Sequence, residues 1–336
     1  PVGRRRRRLR GRLIMTSGTD RRSVLTGLGA LGVAGCSPPP AEGAPKQEAG
    51  ASAQALDLAA LEARHGGRLG LSAWTGDFHA GRARGVAWRD DERFLYCSTF
   101  KLFLAAATLM RVQGGEEQLD RALPITPTDM LAHAPVTERA LGSTLSVQTL
   151  CQAAVEQSDN PAANILIREM GGLDALRAWY RSMGDDVTRA DRWELELNRP
   201  DGDKDTTTPF IAARLIHALL LSGPIPSLQP LYAHLLTSWM FASPTGPNRI
   251  KAGVPAGYRV AHKTGTGGYG PTNDIGVIYP PSGDPITIAV YFHATSASTP
   301  AQREAVIADA TRIALAAFLH DIGKLVLCSI KPEEYR

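Results

Sequence analysis

Apolar and polar positions divide the chain into three regimes. From about Ala55, "LDLAALEARHGG" repeats leucine and alanine at helical spacing and ends on two glycines, which predicts a short helix closed by a glycine cap. "RLGLSAWTG" and "GVAWRDDERFLYC" follow, with the apolar content and turn residues of a strand hairpin. The long middle carries helical periods behind capping residues: Ser146 before "VQTLCQAAVEQ", Asn160-Pro161 before "AANILIREMGG" and Thr208-Pro209 before "FIAARLIHALLLSG". It reads as all-helical. Strand patterns return in "YRVAHKTGTG", "TNDIGVIYP" and "PITIAVYFHA", and a last helix is expected from Ala301 to about Leu319. No internal repeat interrupts this order. Strands at both ends and helices between imply an α/β part plus an all-α part: an antiparallel sheet flanked by helices, built from 56–96 and 245–320, with a helical domain inserted over 97–244. A cleft is expected where the two meet.

Composition supports a globular domain, since 43% of the 336 residues are hydrophobic. Charge changes the picture once it is located. The chain has 37 Lys and Arg against 33 Asp and Glu, but nine of the arginines and only one acid lie in residues 1–36, leaving 28 against 32 beyond. The basic character belongs to the leader, which removes the electrostatic case for a nucleic-acid partner.

The leader has its own grammar. From Met15, Arg21-Arg22 precede a glycine-rich apolar run from Val24 to Ala34, too short to span a bilayer and similar to a twin-arginine export signal. The run ends in "VAGC", which resembles a bacterial lipobox and implies lipidation of Cys36. An ordinary cleaved signal with an incidental cysteine is the alternative. Residues 1–14, which begin with Pro1, are expected to be an extension upstream of the true start, 15–36 the signal, 37–55 a flexible Pro/Ala/Gly-rich tether, and 321–336 a tail. Cys97, Cys151 and Cys328 match no zinc spacing and are odd in number, so neither a metal nor an essential disulfide is expected. The lone His320-Asp321 dipeptide has no metal-ligand company. No cofactor is called for.

Chemistry begins at "STFK". On a helix, residues three apart share a face, so the Ser98 hydroxyl can meet the Lys101 amine. A serine is a weak nucleophile until a neighbour takes its proton, and a lysine desolvated by an apolar wall can be basic enough to do so. The same four residues describe equally well an N-cap serine and a lysine that snorkels to water.

Three further motifs follow in order: "SDN" at Ser158-Asp159-Asn160 between two helices, "RWELELN" at Arg192–Asn198 in a polar loop, and "HKTGTG" at His262–Gly267 on a strand. Together with "STFK", and with flanking phrases such as "PVTERAL", "SDNPAANIL", "DTTTP" and "TNDIGV", they resemble the class A serine β-lactamases over roughly Ala55 to Leu319. That resemblance implies Ser98 as nucleophile, Lys101 as base or relay, Ser158 as the last proton donor to the leaving nitrogen with Lys263 assisting, and Glu194 as activator of the deacylating water. It implies an oxyanion site at the backbone N–H groups of Ser98 and Thr266. Substrate contacts would come from Asn160, Asn198, His133, Lys263, Thr264, Gly265, Thr266 and Arg249, and an Arg192–Asp205 ion pair would pin the glutamate loop. The expected substrates are penicillins and cephalosporins, with carbapenems left open. The alternative is a penicillin-binding receptor, sensor or DD-peptidase-like domain that is acylated without turnover; such proteins lack the glutamate loop. The expected partner is a small β-lactam, for an exported, periplasmic or cell-surface monomer held to a membrane only through Cys36.

Several positions depart from the family pattern. The stretch Asn198–Asp205 is about two residues short, and Leu195 stands where proline is common, which puts the path of the loop and the reach of Glu194 in question. Arg249 matches only part of the family and reads otherwise as surface charge. His262 and His133 replace an acid and an aromatic residue; each reads either as a partly exposed histidine or as a modulator of substrate choice or pH response. Cys97 lacks the partner cysteine of some carbapenem-hydrolysing relatives, because Gly267 occupies that place, and Cys151 faces Ala105 where another bridge occurs elsewhere.

Overall fold

A computed structural model describes residues 57–76, 83–221, 227–268, 270–294 and 298–330, with side chains through Phe318. The expectations for 1–14, for the signal 15–36 with Cys36, for the tether 37–55, and for the side chains of His320, Asp321 and Cys328 lie outside the described residues.

Helix α1 (57–65) leads into β1 (Gly67–Thr75), β2 (Arg84–Trp88) and β3 (Phe94–Leu95). A single 3-10 turn, Cys97–Thr99, opens α2 (Phe100–Gln113). Then come β4 (Ala122–Pro124), β5 (Thr144–Ser146), α3 (Val147–Glu156), α4 (Asn160–Met170) and α5 (Leu173–Ser182). The chain continues through β6 (Thr206–Thr207), α6 (Pro209–Leu220), α7 (Pro230–Ala242), α8 (Ile250–Gly253), β7 (Arg259–Thr266), β8 (Pro271–Tyr279), β9 (Ile286–Ala294) and α9 (Pro300–Ile330).

The capping residues explain the starts of the helices. Ser146 accepts the Thr149 N–H ahead of α3, and Thr208 accepts the Ile211 N–H ahead of α6. The expected cap at Asn160 is corrected by one residue. Asp159 is the N-cap of α4, accepting the Ala162 N–H at 2.9 Å, and Asn160 is the first helical residue. Gly171 ends that helix at φ 107°, a left-handed conformation that glycine adopts without strain.

The sheet has the order β2-β1-β9-β8-β7, antiparallel throughout, so both ends of the chain build it as expected. One apolar core, containing Leu58, Val260, Ile278, Val306 and Leu315, lies between the sheet and α1, α8 and α9. A larger one joins the other face to the helices through Phe94, Phe100, Ile165, Leu215 and Tyr291. The middle of the chain is not all-helical: β4 pairs with β5, and β3 pairs with β6 through Phe94↔Thr207 and Leu95↔Thr206. These strands are two or three residues long, too short for a period-two pattern to stand out. The last helix also runs past its expected end near Leu319, to Ile330. Among the described residues no helix is long and apolar enough to cross a membrane.

Candidate active site

The edge strand β7 and the turn before α2 are brought into contact by a missing side chain. A Cβ at Gly265 would stand 2.7 Å from the Tyr96 carbonyl oxygen and 3.1 Å from the Thr99 nitrogen, so only glycine lets the strand lie this close to Ser98. Asn273 on β8 ties the same turn to the sheet by donating to the carbonyls of Leu95 and Tyr96 at 2.9 and 3.1 Å.

Behind Ser98, which is half-exposed, Lys101 is wholly buried. Its Nζ is 3.1 Å from Ser98 Oγ, 2.8 Å from the Ser158 carbonyl oxygen and 3.0 Å from Glu194 Oε1, and it also donates to Asn160 Oδ1. The snorkelling alternative fails because the amine has no path to water. Desolvation pulls the Lys101 ammonium below the usual lysine range, and the Glu194 carboxylate opposes that shift.

Glu194 reaches this point although its loop is short. Its Oε2 accepts from Asn198 Nδ2 at 2.6 Å, and its backbone is clamped by Asn164, which accepts the Glu194 N–H at 3.1 Å and donates to the Glu194 carbonyl at 3.0 Å. The Glu194–Leu195 peptide is cis. The expected ion pair is present, Arg192 Nε to Asp205 Oδ2 at 2.6 Å. Asp205 also accepts the N–H groups of Asp191 and Arg192 through Oδ1, at 2.8 and 3.0 Å. Its carbonyl accepts the Tyr96 N–H at 3.1 Å, so the loop is fastened directly to the turn that carries Ser98.

On the opposite wall, Lys263 Nζ donates to Ser158 Oγ at 3.1 Å and to the Thr264 carbonyl at 2.8 Å. Burial, followed by the nearby Lys101 charge, holds Lys263 well below the usual lysine range. Arg249 is 6% exposed, which excludes the surface-charge reading. It donates to Glu304 at 3.1 Å, to the carbonyls of Gly265 and Asn273 at 3.2 and 2.9 Å, and to Thr266 Oγ1 at 2.7 Å. His262 is corrected too. It is buried, with Nδ1 2.9 Å from both oxygens of Asp274, and Asp274 caps the Ile250 N–H at 3.1 Å beside Arg249. His133 is exposed at the rim and donates from Nε2 to the Gln157 carbonyl at 2.8 Å. Cys97 and Cys151 are free and buried; a Cβ at Gly267 would lie 3.1 Å from Cys97 Sγ.

A cavity of about 570 Å³ opens between these walls, lined by Ser98, Ser158, Asn160, Asn198, Arg249, Thr264, Thr266 and the rim residue His133 among others. A larger space of about 880 Å³ lies between α6, α7 and the β7–β8 edge; the Thr237 and Ser238 hydroxyls that line it donate to the Ala233 and Leu235 carbonyls, and among the described residues none is hydrogen-bonded to His234 there, so the chemistry assigns the smaller one. Among the described residues no group of three or more His, Cys, Asp and Glu side chains is placed to hold a metal ion. Sequence reasoning missed Asn164, Asn273, Glu304 and Thr245. Only Asn164 left a local signal, four residues after Asn160 and therefore on the same helical face.

The arrangement is a buried amine shared by a hydroxyl and a carboxylate, facing a cationic, hydroxyl-rich wall. It can acylate a serine and present a water to the ester. The comparisons agree with it. Residues 54–318 match the sequence model of the "Beta-lactamase enzyme family". The chain is 40% identical over 263 residues to beta-lactamase FAR-1 of Nocardia farcinica, covering 78% of this chain and 82% of that protein. It is 40% identical over 276 residues to the carbapenem-hydrolyzing beta-lactamase KPC of Klebsiella oxytoca, covering 80% and 92%. Among solved structures, an ancestral class A beta-lactamase superposes with a TM-score of 0.74 at 47% identity, over 79% of this chain and all of that one. With the serine, lysine and glutamate geometry above, these likenesses show that the chain belongs to the β-lactamase enzyme family, as a class A serine β-lactamase.

Proposed function

We propose that this enzyme hydrolyses the β-lactam ring in two steps at Ser98. In the first, Ser98 Oγ attacks the ring carbonyl while its proton passes to Lys101 in the neutral form or, through water, to Glu194. The oxyanion is held by the N–H groups of Ser98 and Thr266, a reading supported by the close approach that Gly265 permits. The C–N bond then breaks, and Ser158, beside Lys263, hands a proton to the ring nitrogen and is refilled by the proton that left Ser98, so the relay ends as it began. In the second step Glu194 takes a proton from water, the hydroxide attacks the Ser98 ester, and Ser98 leaves with a proton returned to its oxygen. Asn160 would bind the acylamino side chain, while Lys263, Thr264 and Arg249, with Thr266 beside them, would receive the substrate carboxylate.

One observation carries the reading. Lys101 Nζ lies 3.1 Å from Ser98 Oγ and 3.0 Å from Glu194 Oε1, so one buried amine connects the group that is acylated to the group that deacylates it. Penicillins and cephalosporins are the substrates, and antibiotic resistance is the consequence; a panel of kcat/KM values that includes a carbapenem sets the range. The assay is turnover of a chromogenic cephalosporin by the purified protein, with Ser98→Ala as control. Many ring openings per enzyme are expected. Consumption of one equivalent, with a stable adduct on Ser98, would establish the receptor reading instead. For export and anchoring the support is the leader "RRSVLTGLGALGVAGC", and the test is Cys36→Ser, which releases activity from the membrane fraction if Cys36 carries lipid.

A further inference from the structure

Behind Thr264 runs a line of hydroxyls whose polarity follows from counting protons. Ser243 Oγ is 3.1 Å from the Glu156 carbonyl oxygen, which can only accept, so the single Ser243 hydroxyl proton points there. Ser243 Oγ is also 2.9 Å from Thr245 Oγ1, and since Ser243 has no second proton, Thr245 must donate. Thr245 Oγ1 is in turn 2.8 Å from Thr264 Oγ1, and its own proton is already used. Thr264 therefore donates to Thr245. With no substrate bound, the hydroxyl expected to greet the substrate carboxylate has its proton turned away from the cavity. Thr266 differs, because its oxygen accepts from Arg249 at 2.7 Å and no acceptor among the described residues takes its proton.

The line is built to stay in place. Ser243 and Thr264 are buried, Thr245 is half-buried, and both threonines line the cavity. Lys251 Nζ holds the Ser243 carbonyl at 2.7 Å. Gly246, at φ 58°, leaves out a Cβ that would stand 2.5 Å from Thr264 Cγ2, so the Thr245 segment can lie directly on β7.

We infer that Thr245 is a specificity-determining residue that acts through Thr264: it switches from acceptor to donor when an anionic substrate binds. The Thr264 proton turns to the carboxylate, and the Thr245 proton turns from Ser243 to the Thr264 oxygen. Ser243 Oγ keeps the Thr245 N–H, at 3.4 Å, as its donor. Two hydroxyl rotations convert a line that ends at Glu156 into one that points at the ligand, and a donor behind Thr264 strengthens the bond in front of it. No heavy atom has to move. A hydroxyl at position 245 thus selects substrates that carry the carboxylate.

The inference rests on the proposed hydrolysis, and its test separates the two. Turnover of a cephalosporin and of its carboxylate methyl ester is measured for the parent, Thr245→Val and Thr245→Ser. Valine keeps the shape and removes the hydroxyl; serine restores it. The acid-to-ester ratio of kcat/KM is read on each preparation, so the folded fraction cancels. A charge-assisted hydrogen bond is at stake, so the ratio should fall roughly 5- to 20-fold in the valine variant, mainly through the KM of the acid, and return in the serine variant. An unchanged ratio in the valine variant, or equal losses in both variants, overturns the assignment while leaving the hydrolase intact. A parent that turns over neither compound overturns the functional reading and this inference with it.

Discussion

Replacing Glu194 by Gln tests the division of labour between the two steps. The side chains of Glu194 and Lys101 are both fully buried, and unit charges 3.0 Å apart attract by ~5.5 kcal/mol at an effective dielectric near 20. Removing the carboxylate would leave a buried ammonium without its counter-charge. Desolvation is the largest influence on Lys101 and Glu194 the largest one opposing it, so in the variant Lys101 falls further below the ordinary lysine range, which favours the neutral amine. The neutral amine can then receive the Ser98 proton across 3.1 Å. Geometry is preserved as well. Glutamine can turn its carbonyl to Lys101 and its NH₂ to Asn198, whose buried Oδ1 has no partner among the described residues and can accept once the amide flips. Acylation should therefore survive while the activated water is lost, which costs about 10²–10⁴-fold in deacylation, or roughly 3–5 kcal/mol of barrier. Stopped-flow measurement with a chromogenic cephalosporin should show a burst of one ring opening per enzyme followed by near-arrest, with the acyl mass on the Ser98 peptide. Turnover at the parent rate would refute the role of Glu194 as water activator. Absence of both burst and adduct would refute the claim that Lys101 suffices for the first step.

Three other outcomes are expected. Asp205→Asn breaks the pair with Arg192 and sets an NH₂ group among donors, so thermal melting should report a loss of about 3–5 kcal/mol, and deacylation should suffer more than acylation. Gly265→Ala puts a methyl 2.7 Å from the Tyr96 carbonyl oxygen and pushes β7 off the Ser98 turn; kcat/KM should drop on the order of 10²-fold, as expected for a misplacement near 1 Å. Burial, reinforced by the Arg68 charge, pushes His293 down to about 4, so the unfolded chain takes up the proton first as pH falls. Stability should be complete above roughly pH 6.5 and decline by about 1.4 kcal/mol per pH unit toward pH 4, as read by denaturant melts, with a flatter profile in His293→Gln.

Much of the site was legible because its signals are local. Ser98 and Lys101 meet through one turn of helix, Ser146 and Thr208 cap through neighbouring N–H groups, and β8 and β9 carry the apolar runs of buried strands. The four motifs in order sufficed to recognise the family. The sequence likewise located the excess basic charge in residues 1–36.

Tertiary structure decided what depends on residues far apart in the chain. Whether a shortened loop brings Glu194 to Lys101 depends on Asp205 being tied to both Arg192 and Tyr96, and on Asn164 gripping the Glu194 backbone from α4. Whether Arg249 is a surface charge and His262 a partly exposed side chain, or both are buried parts of the wall, depends on Glu304, the carbonyls of Gly265 and Asn273, and Asp274 arriving from α9, β7 and β8. The role of Thr245 depends on a hydroxyl 19 positions away and on the absence of two Cβ atoms, at Gly246 and Gly265, that let separate segments close on one cavity. Helical spacing and capping act within a few residues, so sequence alone determines them; the charge state of a buried lysine and the direction of a hydroxyl proton are set by whichever groups packing brings within about 3 Å, and only the folded chain determines that.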